Sequence, residues 1–344
     1  MNASLFIRVD ANKKIGLGHF MRCFALAQAW KLRRGNVLFI SNTKSRNVVL
    51  EQIIEKARME IVYISSVPGS SSDAAQTAAL VDGRSWLVVD GYHFKSAYQK
   101  TINEKGVRQL CFDDLGRARR YYADIVLNQD VTAKHVSYKY RLRRTKVLLG
   151  TKYIVLRQDF MAWKGIKRHV KENARKILVV MGGSDFQNVT LKVIKGLKLI
   201  ATDTLEVRVI VGAANPHSAV LEKEVKEAAG KFKLVRHTQN MSAQMAWADM
   251  CISAGGSTCW ELAFMGLPTL VVPVVAGQIA STRNLQVQGI VKSLGMHSKL
   301  TPKRIAFETC LMLCSVNQRT EMSANGRSLV DGEGINRVLE RMGA

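Results

Sequence analysis

Two glycine-rich turns hold the residue types best suited to chemistry. One is Gly16-Leu17-Gly18-His19 and the other is Gly255-Gly256-Ser257-Thr258. Each follows a short apolar run, Leu5-Phe6-Ile7-Arg8-Val9 or Met250-Cys251-Ile252-Ser253, and each precedes a helix-like pattern. A strand that passes through a glycine turn into a helix points backbone N–H groups outward, and the helix dipole favours negative charge there. One such turn in each half predicts a phosphorylated ligand in a cleft between two α/β domains.

His19 stands at the N-terminus of the first helix, where the dipole favours a neutral imidazole able to take a proton from water as a general base. Capping the helix or bonding a backbone group is the competing role. Asp10 ends the preceding strand and either orients that ring, binds a sugar hydroxyl or forms a turn. Arg22 reaches a phosphate or makes a salt bridge. A dinucleotide fingerprint fails, because the third glycine position is Met21. In the second turn the Ser257 and Thr258 hydroxyls add donors. Glu261 follows in the first helical turn; a carboxylate would repel a phosphate, so ribose hydroxyls suit it, with a favourable helix-start acid as the alternative. A third turn, Met181-Gly182-Gly183-Ser184-Asp185, follows another strand, with Asn188 and Thr190 beyond it.

The elements that must position these residues alternate. Strands are expected at Leu5–Val9, Val37–Ile40, Trp86–Asp90, Arg108–Phe112 and Asp124–Leu127, with helices at Phe20–Arg33, Val48–Lys56 and Ala74–Val81. The pattern restarts at Ile177–Met181, Glu206–Val211, Lys233–Val235, Met250–Ile252 and Thr269–Val272, and residues 335–342 read as a closing amphipathic helix. Alternation of this kind predicts doubly wound parallel sheets. The charged segment 161–176 reads as the linker, which sets domains at 1–165 and 174–344.

The chain has 344 residues, enough for two cores, and 47% apolar content. No apolar run reaches the ~18–20 residues of a membrane span, and no signal peptide is read at Met1–Ser4. The six cysteines lack metal or redox spacing and read as reduced, buried thiols of a cytoplasmic protein, with Cys310 and Cys314 on one helix face. The net charge of +24 is spread along the chain, with aromatics at only 7%. That pattern argues for solvated faces and steering of an anionic ligand over nucleic-acid binding.

The same residues resemble one family in order and type. Arg8-Val9-Asp10, Gly16-Leu17-Gly18-His19 with Arg22-Cys23, Asp113-Asp114, Gly182-Gly183-Ser184-Asp185 and Gly255-Gly256-Ser257-Thr258 with Trp260-Glu261 are similar to the UDP-2,4-diacetamido-2,4,6-trideoxy-β-L-altropyranose hydrolases of pseudaminic acid biosynthesis. The resemblance covers nearly the whole chain. It implies a GT-B-like fold with two Rossmann-like domains facing a central cleft, related to GT-B glycosyltransferases. It further implies UDP on the second domain, with uracil near Gly212 and Met241, ribose at Glu261 and diphosphate at Gly255–Thr258. His19 falls at the catalytic position, Tyr92 on the substrate side and Gln278 among the substrate-binding residues, while the family's asparagine near the sugar or diphosphate falls at Gly277. Water would attack the anomeric carbon with inversion, without metal or cofactor. Two positions depart from the family: Asp90-Gly91-Tyr92 stands for Asp-His-Tyr, with His93 one place later, and Gly277-Gln278 stands for Asn-Gln. The expected partners are a UDP-sugar and water, with no nucleic acid, a peripheral membrane contact through the basic surface, and a monomeric chain. The competing readings are a GT-B glycosyltransferase acting on an acceptor, a binding protein without turnover, and a basic nucleic-acid binder.

Overall fold

The structure of the protein, a computed structural model, describes residues 4–11, 17–33, 35–200, 204–212, 215–228, 232–236, 238 and 240–343. Gly16, one of the expected site residues, lies outside them. The chain divides into two compact units, Met1–Gln158 with Gly332–Ala344, and Asp159–Asp331.

The first unit runs β1 (Leu5–Val9), α1 (Gly18–Leu32), β2 (Val37–Asn42), α2 (Val48–Lys56), β3 (Glu60–Ile64), α3 (Ser71–Leu80), β4 (Trp86–Asp90), α4 (Ser96–Glu104), β5 (Arg108–Phe112), β6 (Ile125–Asn128) and β7 (Lys146–Leu149). The strands order as β3-β2-β1-β4-β5-β6-β7, and every pairing is parallel. Helices cover both faces of such a sheet, so a central strand can be apolar throughout; all five residues of β4 are buried. Leu5, Ile7 and Val9 alternate onto one face and pack with Phe20 and Phe24 of α1.

The second unit begins within α5 (Gln158–Met161) and runs β8 (Lys176–Val180), α6 (Val189–Lys198), β9 (Glu206–Val211), α7 (Ser218–Lys226), β10 (Phe232–Arg236), α8 (Met241–Trp247), β11 (Met250–Ala254), α9 (Thr258–Phe264), β12 (Thr269–Val272), α10 (Ile279–Val287), β13 (Val291–Ser293), α11 (Pro302–Cys314) and α12 (Val316–Leu329). Its parallel sheet orders as β10-β9-β8-β11-β12-β13. In both sheets the strand order reverses beside the first strand, at β1/β4 and at β8/β11. Ligands of open α/β sheets bind beyond the strand C-termini at such points; the turns after β8 and β11 stand there, as does the start of α1 at Gly18.

Two expectations about organisation are corrected. The closing helix, α13 (Gly334–Met342), belongs to the first unit. Its Val338, Leu339 and Met342 enter the β1–α1 core, and the Met342 carbonyl accepts from Trp86 Nε1 at 3.0 Å. A Cβ at Gly334 would fall 2.1 Å from the Ile154 carbonyl, so only glycine permits this approach. Segment 161–176 is not a loose linker. Arg168 donates to the carbonyls of Met245, Ala248 and Met265 at 2.6, 2.7 and 2.9 Å, and Arg319 Nη2 donates to those of Lys171 and Glu172 at 2.7 and 2.8 Å. Burial pushes the Arg168 guanidinium down to about 10, against the pull of Asp249. Arg168→Met strands three carbonyl acceptors and is expected to destabilise the second unit by about 3 kcal/mol. Urea unfolding followed at that unit measures it, and an unshifted midpoint would refute the assignment. The thiol expectation also needs amendment: Cys23, Cys111, Cys251 and Cys259 are buried and in no disulfide, but Cys310 is half-buried and Cys314 exposed.

Candidate active site

The first strand-end cluster is built on Asp90, the last residue of β4. Its side chain is wholly buried, and His19 and Arg22 converge on it. His19 Nδ1 lies 2.6 Å from Asp90 Oδ1; Arg22 donates through Nε to Oδ2 at 2.6 Å and through Nη2 to Oδ1 at 2.8 Å. Both partners sit on α1, three residues apart and therefore on one helix face. Burial alone would raise the Asp90 carboxyl, but Arg22 and then His19 outweigh it and hold the group well below the usual carboxylate range. An ionised carboxylate only accepts, so Nδ1 carries the hydrogen and donates to it. The lone pair of Nε2 is then the one available to take a proton.

Arg22 is fixed from a second side by Asp114, and its guanidinium lies 4.6 Å from the Phe112 ring centroid. The salt-bridge alternative for Arg22 is therefore what the structure contains. Tyr92 meets His19 edge-on, with ring centroids 4.9 Å apart, and Arg117 stacks 4.2 Å from the Tyr92 centroid. Tyr92 is half exposed, and His19, Arg22, Asp90, Tyr92 and Lys95 line one pocket.

Asp10 does not orient His19, which corrects one of its three expected roles. Its Oδ1 accepts from Arg8 at 2.7 Å, from the Asn42 backbone N–H at 2.7 Å and from the Ser41 hydroxyl at 3.2 Å. Arg8, fully buried, also grips Asp73 through Nε and Nη2, both at 3.0 Å. The ring partner is Asp90 because Val9 of β1 pairs with Asp90 of β4, which sets Asp10 one residue further along the neighbouring strand. In the sequence Asp90 and Asp114 stand only inside motifs, with no role attached to either. The available signal was an acid closing a fully apolar strand, Trp86-Leu87-Val88-Val89-Asp90.

In the second unit the β8 and β9 turns touch through their backbones. A Cβ on Gly212 would fall 2.4 Å from the Gly183 carbonyl, and Gly182 takes φ +84°. The Asp185 carboxylate accepts from Val189 and Thr190 N–H at 2.8 and 2.9 Å, so the start of α6 already holds an internal anion. The helix end behind Gly182, Gly183 and Ser184 is thus already occupied by Asp185. Beyond β11, Gly255 lies against α10: a Cβ there would meet Thr282 Oγ1 at 2.6 Å and Gln278 Cβ at 3.2 Å. Gln278 is held by the Val274 N–H, which donates to Oε1 at 2.8 Å. Gly256 follows, then exposed Ser257, whose side chain makes no capping bond to α9, and Thr258; Glu261 completes the first turn. Met241 opens α8, capped by Asn240 through the Ala243 N–H at 2.9 Å. Thr282, whose buried hydroxyl has no hydrogen-bond partner, was not anticipated. Gly277 stands exposed with no neighbour within 4 Å of a would-be Cβ.

Residues 177–300 match the glycosyltransferase family 28 C-terminal domain. The chain superposes on MurG of Acinetobacter baumannii with a TM-score of 0.66, covering 98% of each chain at 15% identity. The fold is GT-B. Among curated proteins it is 25% identical to the spore coat polysaccharide biosynthesis protein SpsG of Bacillus subtilis, over 98% of this chain and 96% of that protein. It is 24% identical, over 63% of its length, to 39% of a Helicobacter pylori protein named pseudaminic acid cytidylyltransferase and UDP-2,4-diacetamido-2,4,6-trideoxy-β-L-altropyranose hydrolase. The chain is thus glycosyltransferase-like, with one relative in a polysaccharide pathway and a distant one in the pseudaminic acid pathway. Among the described residues, no helix is long and apolar enough to cross a membrane.

Proposed function

We propose that the chain is a UDP-sugar hydrolase, cleaving UDP from a 2,4-diacetamido-2,4,6-trideoxy sugar in cytoplasmic nonulosonic acid biosynthesis. The observation that carries this reading is the His19–Asp90 pair, a base with its tautomer fixed, at the switch point of the first sheet. Water attacks the anomeric carbon and passes its proton to His19 Nε2. A bond forms from the water oxygen to carbon, and the carbon–oxygen bond to the β-phosphate breaks. The electron pair leaves with UDP, and the anomeric centre inverts. The Gly255–Thr258 turn takes the diphosphate by backbone and hydroxyl donors, and Glu261 takes the ribose hydroxyls. The Helicobacter pylori relative, named in part for this hydrolysis, supports the reading.

A second reading, transfer of the sugar to an acceptor, draws on the family 28 match at 177–300. The same base would then deprotonate an acceptor hydroxyl in place of water. Release of UDP with and without candidate acceptors separates the two. In either case Glu261→Ala is expected to weaken UDP binding roughly 10-fold, the loss of hydrogen bonds to a charged acceptor. Calorimetry with UDP alone reads this directly, and unchanged affinity would remove Glu261 from ribose recognition.

A further inference from the structure

A second imidazole stands beside the first cluster with a carboxylate of its own. His93 Nε2 lies 3.2 Å from Asp10 Oδ2, and neither atom has any well-aligned hydrogen-bond partner, although both are buried. Asp10 Oδ1 is by contrast fully engaged by Arg8, Ser41 and Asn42. Burial alone would raise the Asp10 carboxyl; His93 and Arg8 hold it well below the usual range, so it acts as an acceptor. The Nε2 edge of His93 therefore faces Asp10, which leaves the rest of a ring that is 25% exposed for another contact.

The surroundings fix that ring. Phe94 packs on it with centroids 4.1 Å apart, and a Cβ at Gly91 would fall 3.0 Å from its Cε1 and 3.3 Å from its Nε2. His93 thus fills the space that a side chain from position 91 would enter. Gly91, Tyr92, Phe94 and Lys95, its neighbours in the same turn, all line the pocket of His19 and Asp90. Asp10 and Asp90 end adjacent parallel strands, so the two Asp–His pairs flank the switch point of one sheet.

We propose that His93, seated over Gly91 and against Asp10, is a specificity-determining residue that contacts the sugar portion of the nucleotide sugar. This rests on the nucleotide-sugar reading, not on hydrolysis in particular. A weakly exposed ring backed by an acceptor suits a sugar hydroxyl or acetamido group, where a missing partner leaves a buried polar group unpaired.

The test compares His93→Gln, His93→Ala and Gly91→Ala with the wild type by calorimetry, using UDP, UDP-GlcNAc and a UDP-2,4-diacetamido-trideoxy sugar, alongside turnover and thermal melting. Expected is a loss of roughly 10-fold in the affinity gained by the sugar over UDP alone, with UDP affinity unchanged. Gly91→Ala, which displaces the ring without removing it, should reproduce the loss, and His93→Gln should recover part of it. Equal sugar affinity in wild type and His93→Ala would overturn the inference, as would a wild type that gains nothing from the sugar. A wild type that gains affinity from the sugar but does not hydrolyse it, with the gain lost in His93→Ala, would keep the inference and reject hydrolysis.

Discussion

Replacing His19 with phenylalanine should lower turnover by roughly 10²-fold or more while leaving UDP affinity nearly intact. The size follows from the role: a positioned general base contributes about 10²–10⁴-fold. Selectivity follows from placement, since His19 belongs to the first unit and the residues assigned to UDP belong to the second. Phenylalanine keeps a ring edge-on to Tyr92, so packing is largely preserved. What it cannot supply is Nε2. Steady-state kinetics with calorimetry of UDP checks both halves. Unchanged turnover would take His19 out of the mechanism; a parallel collapse of UDP affinity would show a binding role.

Asp90→Asn is expected to cost more than its volume suggests, because it breaks two things at once. Oδ1 fixes the hydrogen on His19 Nδ1 and Oδ2 accepts from Arg22 at 2.6 Å. An amide presents one acceptor and one donor, so either the imidazole or the guanidinium faces an N–H. A wrong tautomer in a comparable Asp–His arrangement lowers rate by about 10⁴-fold, and the expected fall here is of order 10²–10⁴. Arg22 retains Asp114, which is half-buried and compensates only part of its desolvation. A stability loss of about 3 kcal/mol follows from breaking one side of a buried charge pair. Denaturant unfolding of the first unit and kcat under saturating substrate measure the two effects separately. Wild-type kcat with lowered stability would make Asp90 structural only.

Much of the fold could be read from the chain because parallel strands buried on both faces are short apolar runs. Trp86–Asp90, Arg108–Phe112 and Thr269–Val272 were expected at the bounds they have. The strands left out lie away from the sheet centres. Glu60–Ile64 alternates half-buried and exposed positions at one edge, Lys146–Leu149 forms the other edge, and Val291–Ser293 is only three residues long. The home of α13 was illegible for a different reason. Its amphipathic pattern says that one face is buried, but not which unit buries it; that depends on Ile154 accepting the close approach of Gly334.

At the site, residue types were legible and pairings were not. His19, Arg22 and Asp10 all carried a signal in their position beside a strand end. Which carboxylate serves which cation is set by the register of β1 against β4, 81 residues apart in sequence for Val9 and Asp90, and no local pattern encodes it. For the same reason the sequence shows His93 only as a displaced motif residue, whereas the structure seats its ring against Gly91.

The most direct test of the central claim is UDP release from a UDP-2,4-diacetamido-trideoxy sugar, in EDTA and without an acceptor, with NMR of the sugar product. Rapid release with inversion at the anomeric carbon is the predicted result. Tight sugar-nucleotide binding without release, relieved only by an acceptor, would contradict hydrolysis and make the chain a transferase.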